Sequence, residues 1–182
     1  MFKSKKLSSR LKEYKEVVSL VETAFPKNER FPVWLLRLMA LRKGIDFSVY
    51  YDDADFVGIS YVVSKENMAF VLYLAVNPKI QSKGYGSAML REIQKANPGK
   101  AISLNIEPVD AEAENYEQRI KRLRFYQKNG YHDTGYQIID HADRYSVLST
   151  AQMFDPEMYQ QVVGRLSFGF IKTTLIKNEQ GV

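Results

Sequence analysis

The chain has 182 residues, a length typical of one domain, and 45% of them are hydrophobic, which excludes a disordered chain. It contains no cysteine, which excludes disulfides, thiol nucleophiles and cysteine-ligated metals. The formal net charge of +5 comes from scattered Lys and Arg, so a small anionic ligand explains it as well as nucleic acid does. The basic start leads into no apolar run, and no stretch reaches the roughly 20 residues of a membrane helix. We therefore expect a soluble cytoplasmic protein that binds no nucleic acid, membrane or metal.

Two helices are predicted near the N-terminus. The first follows a cap at Ser8 or Ser9 and is ended by Pro26. The second is expected over residues 33–43. Its stretch from Trp34 to Leu41 leaves little polar face, so we expect it to be buried on more than one side or to cover a pocket.

Short apolar runs separated by polar turns predict strands, and helical periodicity appears between the later ones. The predicted strands are residues 2–7, 46–51, 56–64, 68–76, 102–106, 136–139 and 145–149. Further helices are predicted over residues 85–95 and 112–128, and from Pro156 onward. Beyond Ser167 the sequence suits helix and strand equally. We expect one domain over residues 1–155 and a C-terminal extension, residues 156–182, that packs on the core or on a second copy.

The most informative segment runs from the predicted strand 68–76 into the next helix. Gly84 and Gly86 permit backbone conformations that other residues avoid, and they let a ligand approach the main chain. Unpaired N–H groups at the helix start favour an anion, and Lys83 adds positive charge. The P-loop motif GxxxxGK(S/T) is absent, and the dinucleotide fingerprint lacks its third glycine, which is Met89 here. A glycine turn without a ligand is the alternative.

Residues 81–86, Gln-Ser-Lys-Gly-Tyr-Gly, match the signature Q/R-x-x-G-x-G/A, and residues 74–78 resemble a fourth strand that ends in x-V-x-P. Over about residues 46–149 the chain resembles the GNAT acetyltransferases. The resemblance implies a mixed, mostly antiparallel sheet flanked by helices in an α/β domain, with acetyl-CoA between the fourth and fifth strands. The coenzyme-binding residues that it implies are Leu74, Ala75, Val76, Gln81, Ser82, Lys83, Gly84, Tyr85, Gly86 and Ser87.

The segment from Arg122 to Tyr131 resembles a second family signature, in which an aromatic pair leads to Gly and another aromatic residue. This match places Tyr126 beside the coenzyme sulfur; otherwise Tyr126 is one more core aromatic. A phenol with a pKa near 10 is a weaker acid than a thiol near 8.5, so we expect a hydrogen bond to the sulfur rather than early proton transfer. Many family members have Asn where this chain has Arg119, and Asn115, one turn away, is not taken as its substitute.

The acceptor amine must lose a proton before it attacks, because less than about 0.1% of an alkylamine is neutral at pH 7. Glu107 follows the predicted strand 102–106, where some members of the family have a catalytic Glu, and we predict it as the general base. A solvated carboxylate is an equal alternative for Glu107. Glu29, in the loop before the second helix, and water are the other candidates.

The remaining charged residues near these positions have simpler explanations. We expect Arg119, Lys121, Arg122 and Arg124 to form a solvated helix face, and His132 and His141 to be surface or core histidines. The acidic residues Asp110, Glu112 and Glu114 suit a helix N-terminus, and attraction of a cationic acceptor is the other interpretation.

The resemblance implies an N-acetyltransferase that moves an acetyl group from acetyl-CoA to a primary amine by direct attack. A helix that covers a pocket at residues 34–41 favours a small-molecule acceptor. The alternatives are a peptide or protein N-acetyltransferase and a non-catalytic acyl-CoA-binding domain. A nucleic-acid-binding protein is suggested by charge alone. A homodimer is compatible with the apolar C-terminal extension.

Overall fold

The structure is a computed structural model that describes residues 1–27, 29–80, 84–140, 143–166 and 174–178. This part of the chain contains eight strands and five helices. The strands are β1 (Phe2–Lys6), β2 (Ile45–Asp52), β3 (Asp55–Lys65), β4 (Met68–Val76), β5 (Ala101–Ile106), β6 (His132–Asp140), β7 (Asp143–Ser149) and β8 (Thr174–Lys177). The helices are α1 (Tyr14–Ala24), α2 (Val33–Met39), α3 (Tyr85–Ala96), α4 (Tyr116–Lys128) and α5 (Pro156–Gly164).

The chain folds as two compact units, and the first comprises residues 1–64 and 71–98. Within it β1 pairs with β2 and β2 with β3, both antiparallel, and most of β4 lies next to β3. Both helices near the N-terminus bury one apolar face, because their apolar residues recur at helical spacing. The buried residues of these helices are Val17, Leu20 and Val21 of α1 and Val33, Leu36 and Met39 of α2.

The second unit comprises residues 65–70 and 99–182. Its strands follow the order β5-β7-β6-β8, and each neighbouring pair is antiparallel. Asp155 caps α5 by accepting a hydrogen bond from the Met158 amide at 2.9 Å. Tyr159 is completely buried and donates a hydrogen bond to Asn105 of β5 at 2.7 Å. Residues of α5 therefore pack against the sheet of this unit, while the boundary at residue 155 stays a prediction.

Every strand pair described above is antiparallel. Together with the five helices, this confirms the predicted α/β class. The predicted bounds of β4 agree with the structure to the residue, since a continuous apolar run there is preceded by the polar turn 65–67.

Two predicted helix starts are wrong. The helix expected after Ser8 or Ser9 begins only at Tyr14, because the Ser8 hydroxyl accepts from the Arg10 amide at 3.3 Å in a turn of its own. The helix expected from residue 112 begins at Tyr116, and before it the Asp110 carboxylate accepts from the Glu112 amide at 3.0 Å. In both places a short polar side chain bonds to nearby backbone and so competes with the helix.

The second helix also differs from its prediction. It ends at Met39, and Trp34 and Leu38 are 64% and 56% exposed, so α2 is buried on one face and not on several. Apolar residues at the exposed positions hid the amphipathic pattern in the sequence. No helix in the described part of the chain is long and apolar enough to cross a membrane.

Candidate functional site

The end of β4 is fixed to β3 by hydrogen bonds that continue past the strand itself. The Asn77 amide donates to the Val57 carbonyl at 2.8 Å, and the Asn77 side chain donates to the Phe56 carbonyl at 3.0 Å. Of the predicted coenzyme-binding residues on this strand, Ala75 is buried, while Leu74 and Val76 are half-buried. The strand end is thus held in place from the β3 side by the residue that follows it.

Gly58 on β3 makes this close approach of the two strands feasible. A Cβ atom at Gly58 would lie 3.1 Å from the Val76 Cα and nearer still to the Ala75 carbonyl oxygen. Contacts that short are not tolerated between a side chain and backbone, so any other residue here would displace β4. Gly58 therefore sets the position of two predicted coenzyme-binding residues.

The helix that follows β4 starts at a glycine with a left-handed backbone. Gly84 has φ 75°, and its carbonyl accepts the first helical hydrogen bond of α3, from Ala88 at 3.1 Å. The amides of residues 85–87 precede that bond, so the helix geometry leaves them without an acceptor within the helix. Among the described residues, no side chain caps this helix start. Such a helix start, with its dipole, favours an anion. Gln81, Ser82 and Lys83 lie outside the described residues.

Tyr85, the first residue of α3, is fixed to the end of β2 and to β1. Its hydroxyl donates to the Asp52 carboxylate at 3.0 Å, and its ring stacks on Phe2 with centroids 6.2 Å apart. The hydrogen bond to Asp52 raises the pKa of Tyr85. The start of α3 is consequently fixed by a side chain as well as by its backbone.

Tyr73 connects β4 to the loop between α1 and α2. Its hydroxyl donates to the Glu29 carbonyl at 2.9 Å and accepts from the Phe31 amide at 3.1 Å, while its ring packs on Phe25 with centroids 4.6 Å apart. Burial raises the pKa of Tyr73 to about 12, so it stays a donor at physiological pH. The Glu29 side chain is exposed on this loop.

A cavity of about 360 Å³ lies between α1, this loop and the start of α2. The side chain of Arg30 closes one end of the loop by donating to the carbonyls of Glu22 and Phe25 at the end of α1. The walls are mainly apolar and aromatic. The lining residues are Tyr14, Val18, Val21, Glu22, Arg30, Phe31, Pro32, Val33 and Trp34.

Tyr126 lies near the end of α4 in the second unit, within an aromatic group. Its ring meets Phe125 and Tyr131 edge-on, with centroids 5.1 and 5.7 Å apart. Burial raises the pKa of Tyr126 to about 12, and the opposing effect of the Arg122 charge is smaller. The phenol is therefore protonated at neutral pH and can donate a hydrogen bond.

Glu107 directly follows β5 and has both carboxylate oxygens engaged. Asn115 donates to Oε1 at 3.2 Å, Arg119 lies 3.2 Å from the same oxygen, and Arg122 donates to Oε2 at 2.6 Å. Burial raises the pKa of Glu107, but the Asn115 hydrogen bond and the charges of Arg122 and Arg119 outweigh it and lower the pKa below its usual value. A carboxylate in this environment is a weak proton acceptor.

The structure corrects one prediction about α4. Arg119 and Arg122, expected on a solvated face, have side chains only 19% and 37% exposed because they pair with Glu107. Lys121 and Arg124 are exposed as predicted, and so is His132. His141 lies outside the described residues. The acidic residues Asp110, Glu112 and Glu114 are exposed before α4.

The described coenzyme-binding candidates lie in the first unit, whereas Tyr126 and Glu107 lie in the second. Sequence reasoning missed Gly58, Tyr73 and Asp52. A lone glycine inside a strand is a recognised signal of close backbone approach, so Gly58 could have been identified. Tyr73 and Asp52 gave no such signal. In the described part of the chain, no group of three or more His, Asp or Glu is arranged to hold a metal ion.

Residues 43–133, half of the chain, match the family model described as acetyltransferase (GNAT) domain. The chain belongs to the GNAT acetyltransferase family. No curated protein sequence matches it. As a member of this family it is an acyltransferase that uses acetyl-CoA.

Solved structures of this family have the same fold. A protein from Bacteroides thetaiotaomicron assigned to the GNAT family aligns with a TM-score of 0.72 at 20% identity, covering 93% of this chain and 99% of that one. An aminoglycoside 6′-N-acetyltransferase in complex with coenzyme A gives 0.61 at 14% identity, covering 84% and 98%. The ribosomal-protein-S18-alanine N-acetyltransferase from Escherichia coli gives 0.60 at 11% identity, covering 86% and 97%.

Proposed function

We propose that this enzyme transfers the acetyl group of acetyl-CoA directly to a primary amine of a small molecule. The observation that supports this most is the end of β4, fixed by Asn77 and Gly58, followed by a helix start whose amides at residues 85–87 have no acceptor within the helix. The main chain of residues 74–76 is proposed to bind the pantetheine arm, and residues 81–87 the pyrophosphate. Both roles use backbone groups, which suits the low sequence identity among these folds.

Tyr126 is proposed as the hydrogen-bond donor to the sulfur that leaves. With its pKa raised to about 12, the phenol is a weaker acid than a free thiol near 8.5 by roughly 3.5 units, or about 5 kcal/mol. Full proton transfer while the C–S bond breaks is therefore uphill. A hydrogen bond that strengthens as charge develops on sulfur lowers the barrier without that transfer.

The amine must also be neutral before it can attack, and deprotonating it at pH 7 costs free energy. Holding an alkylamine neutral at pH 7 requires about 4–5 kcal/mol, supplied by desolvation or by a proton acceptor. Glu107 is the predicted base, but its lowered pKa and its three donor partners disfavour that role. We propose that the amine releases its proton to water. Glu107 as the general base is the alternative to be tested.

The proposal of a small-molecule acceptor is supported by the cavity of about 360 Å³ beside the loop between α1 and α2, which Tyr73 holds by a hydrogen bond to the Glu29 carbonyl. That volume lies within the approximate range of 300–1,000 Å³ typical of small-molecule sites. Val33 and Trp34 at the start of α2 line this cavity, although Trp34 is also 64% exposed. Two of the three similar structures named above are an aminoglycoside and a protein N-acetyltransferase, and their TM-scores do not separate the two acceptor classes.

The acceptor class is tested by thiol release from acetyl-CoA over matched panels of small primary amines and short peptides with free N-termini. We expect turnover with at least one small amine and none above background with the peptides. Turnover confined to peptides would contradict the small-molecule proposal while leaving acetyl transfer intact. A homodimer and a cytoplasmic location stay predictions, and sedimentation of the full chain tests the first.

A further inference from the structure

Glu107 is the centre of a cluster of four side chains, Glu107, Asn115, Arg119 and Arg122, which we call the Glu107 cluster. Asn115 and Arg119 share one carboxylate oxygen and Arg122 holds the other. Arg119 is directed by two further bonds, from Nε to the Asn115 side chain at 2.7 Å and to the Pro108 carbonyl at 3.0 Å. Every member therefore contacts at least one other member, and the network connects the end of β5 to α4.

Tyr126 lies on the same helical stripe as this cluster. Asn115, Arg119, Arg122 and Tyr126 are spaced by four, three and four residues, the spacing that places side chains one above another on one helix face. The direction in which Tyr126 points is thus tied to the rotation of α4 that the cluster sets.

Apolar packing fixes the rotation of α4 less firmly than that of the other described helices, although Tyr126 packs against Phe125 and Tyr131. Within Tyr116–Lys128 no side chain is fully buried, whereas α1, α2, α3 and α5 each bury three or more residues. Because the apolar residues of α4 are only half-buried, polar contacts contribute more to fixing its rotation than they do in a helix with a fully buried stripe. The charge-assisted hydrogen bonds of Glu107 are partly buried, which makes them stronger than surface ion pairs.

We propose that the Glu107 cluster is a positioning device for the acetyl-transfer step: Glu107, through Arg119 and Arg122, fixes the rotation of α4 and so aims the Tyr126 hydroxyl. Glu107 then acts on the reaction through Tyr126 and not as the proton acceptor. This inference rests on the proposed role of Tyr126.

The position of Tyr126 can be measured without turnover. Protein labelled with 3-fluorotyrosine gives one ¹⁹F resonance per tyrosine, and Tyr126→Phe identifies the signal of Tyr126. The variants are Glu107→Gln, Arg122→Gln and the double variant, with Arg122→Lys as the conservative change. Arg124→Gln is the matched control, since Arg124 is an exposed arginine on the same helix. Coenzyme A affinity is measured by calorimetry for each protein, and kcat and KM with the best small amine of the panel.

We expect Glu107→Gln and Arg122→Gln to shift or broaden the Tyr126 resonance alike, and the double variant to add nothing further. Their kcat should fall about tenfold or more, as small misplacements of reacting groups do, with coenzyme A affinity within about twofold of the parent. Arg122→Lys should recover part of kcat, and Arg124→Gln should match the parent in every measurement.

An unmoved Tyr126 resonance in Glu107→Gln, or additive losses in the double variant, would overturn the inference. A Glu107→Gln variant that loses turnover while Arg122→Gln retains it would show Glu107 to be the base instead. A parent protein that does not bind coenzyme A would contradict the proposed function itself. The calorimetry alone gives that result, without any measurement of turnover. The failures of the two proposals are thereby distinguishable.

Discussion

Gly58 and Ala75 lie so close together that no side chain fits between the Cα of the first and the carbonyl of the second. We therefore expect Gly58→Ala to displace the end of β4. The change should destabilise the fold by about 1–3 kcal/mol and weaken coenzyme A binding more than tenfold, because the displaced backbone is the proposed pantetheine site. Calorimetry and thermal unfolding check both effects. Gly164→Ala is the control, since no atom of the described residues lies within 4 Å of the Cβ position of Gly164. Unchanged affinity in a folded Gly58→Ala variant would contradict the proposed site.

Tyr73→Phe should affect the acceptor and not the coenzyme. The change removes both hydrogen bonds that tie the loop at Glu29 and Phe31 to β4, at an expected cost of about 1–2 kcal/mol in stability. KM for the amine should rise several-fold with coenzyme A affinity unchanged. Tyr50→Phe removes a buried hydrogen bond to Ser60 and serves as the control, with a similar stability loss and no change in KM. An equal rise in KM in both variants would mean that the loop has no specific role.

Tyr126→Phe should lower kcat by a factor that does not vary with pH between about 6 and 9.5. The reason is the pKa of Tyr126, which burial raises to about 12, so the phenol remains a donor across that whole range. Steady-state kinetics over this range check the prediction. A deficit that disappears as the pH rises through 8 or 9 would show that the phenol ionises there and donates nothing above it.

The stability contributed by Glu107 should depend on pH in a defined direction. Its pKa in the folded protein is lowered from 4.5, so the folded state binds its proton less readily than the unfolded chain does. The contribution is fully present above pH 4.5 and is lost as the pH falls through the lower folded pKa. The difference in Tm between the parent and Glu107→Gln should accordingly be largest above about pH 5 and shrink toward pH 3. A difference that grows on acidification would contradict the ion pairing. Glu117→Gln, an exposed change on α4, is the control.

Much of the fold follows from local sequence patterns. The continuous apolar run and the polar turn before it fix β4 to the residue, and Asp155 before Pro156 marks the start of α5, which begins as predicted. Helix starts were less predictable where a side chain forms its own turn, as Ser8 and Asp110 do.

The candidate site was predictable where a motif uses backbone groups, and less so where side chains meet across elements. The position of Gly84 at the start of a helix follows from the local sequence. The pairing of Glu107 with Arg119 and Arg122, in contrast, depends on how α4 lies against β5. The signal available in the sequence was the shared stripe of Arg119, Arg122 and Tyr126. A solvated face could not also contain a reactive tyrosine at that spacing.

The central claim is that backbone amides at the start of α3 bind the coenzyme diphosphate. Calorimetric titration of coenzyme A into the parent, Gly84→Ala and Gly99→Ala tests it most directly. Both glycines have left-handed φ values, 75° and 72°, and an added Cβ would meet no atom of the described residues within 4 Å at either, so the two changes strain the backbone alike. We predict saturable binding to the parent, binding at least about tenfold weaker for Gly84→Ala, and parental affinity for Gly99→Ala. Equal affinities in the two variants, or no binding by the parent, would contradict the account.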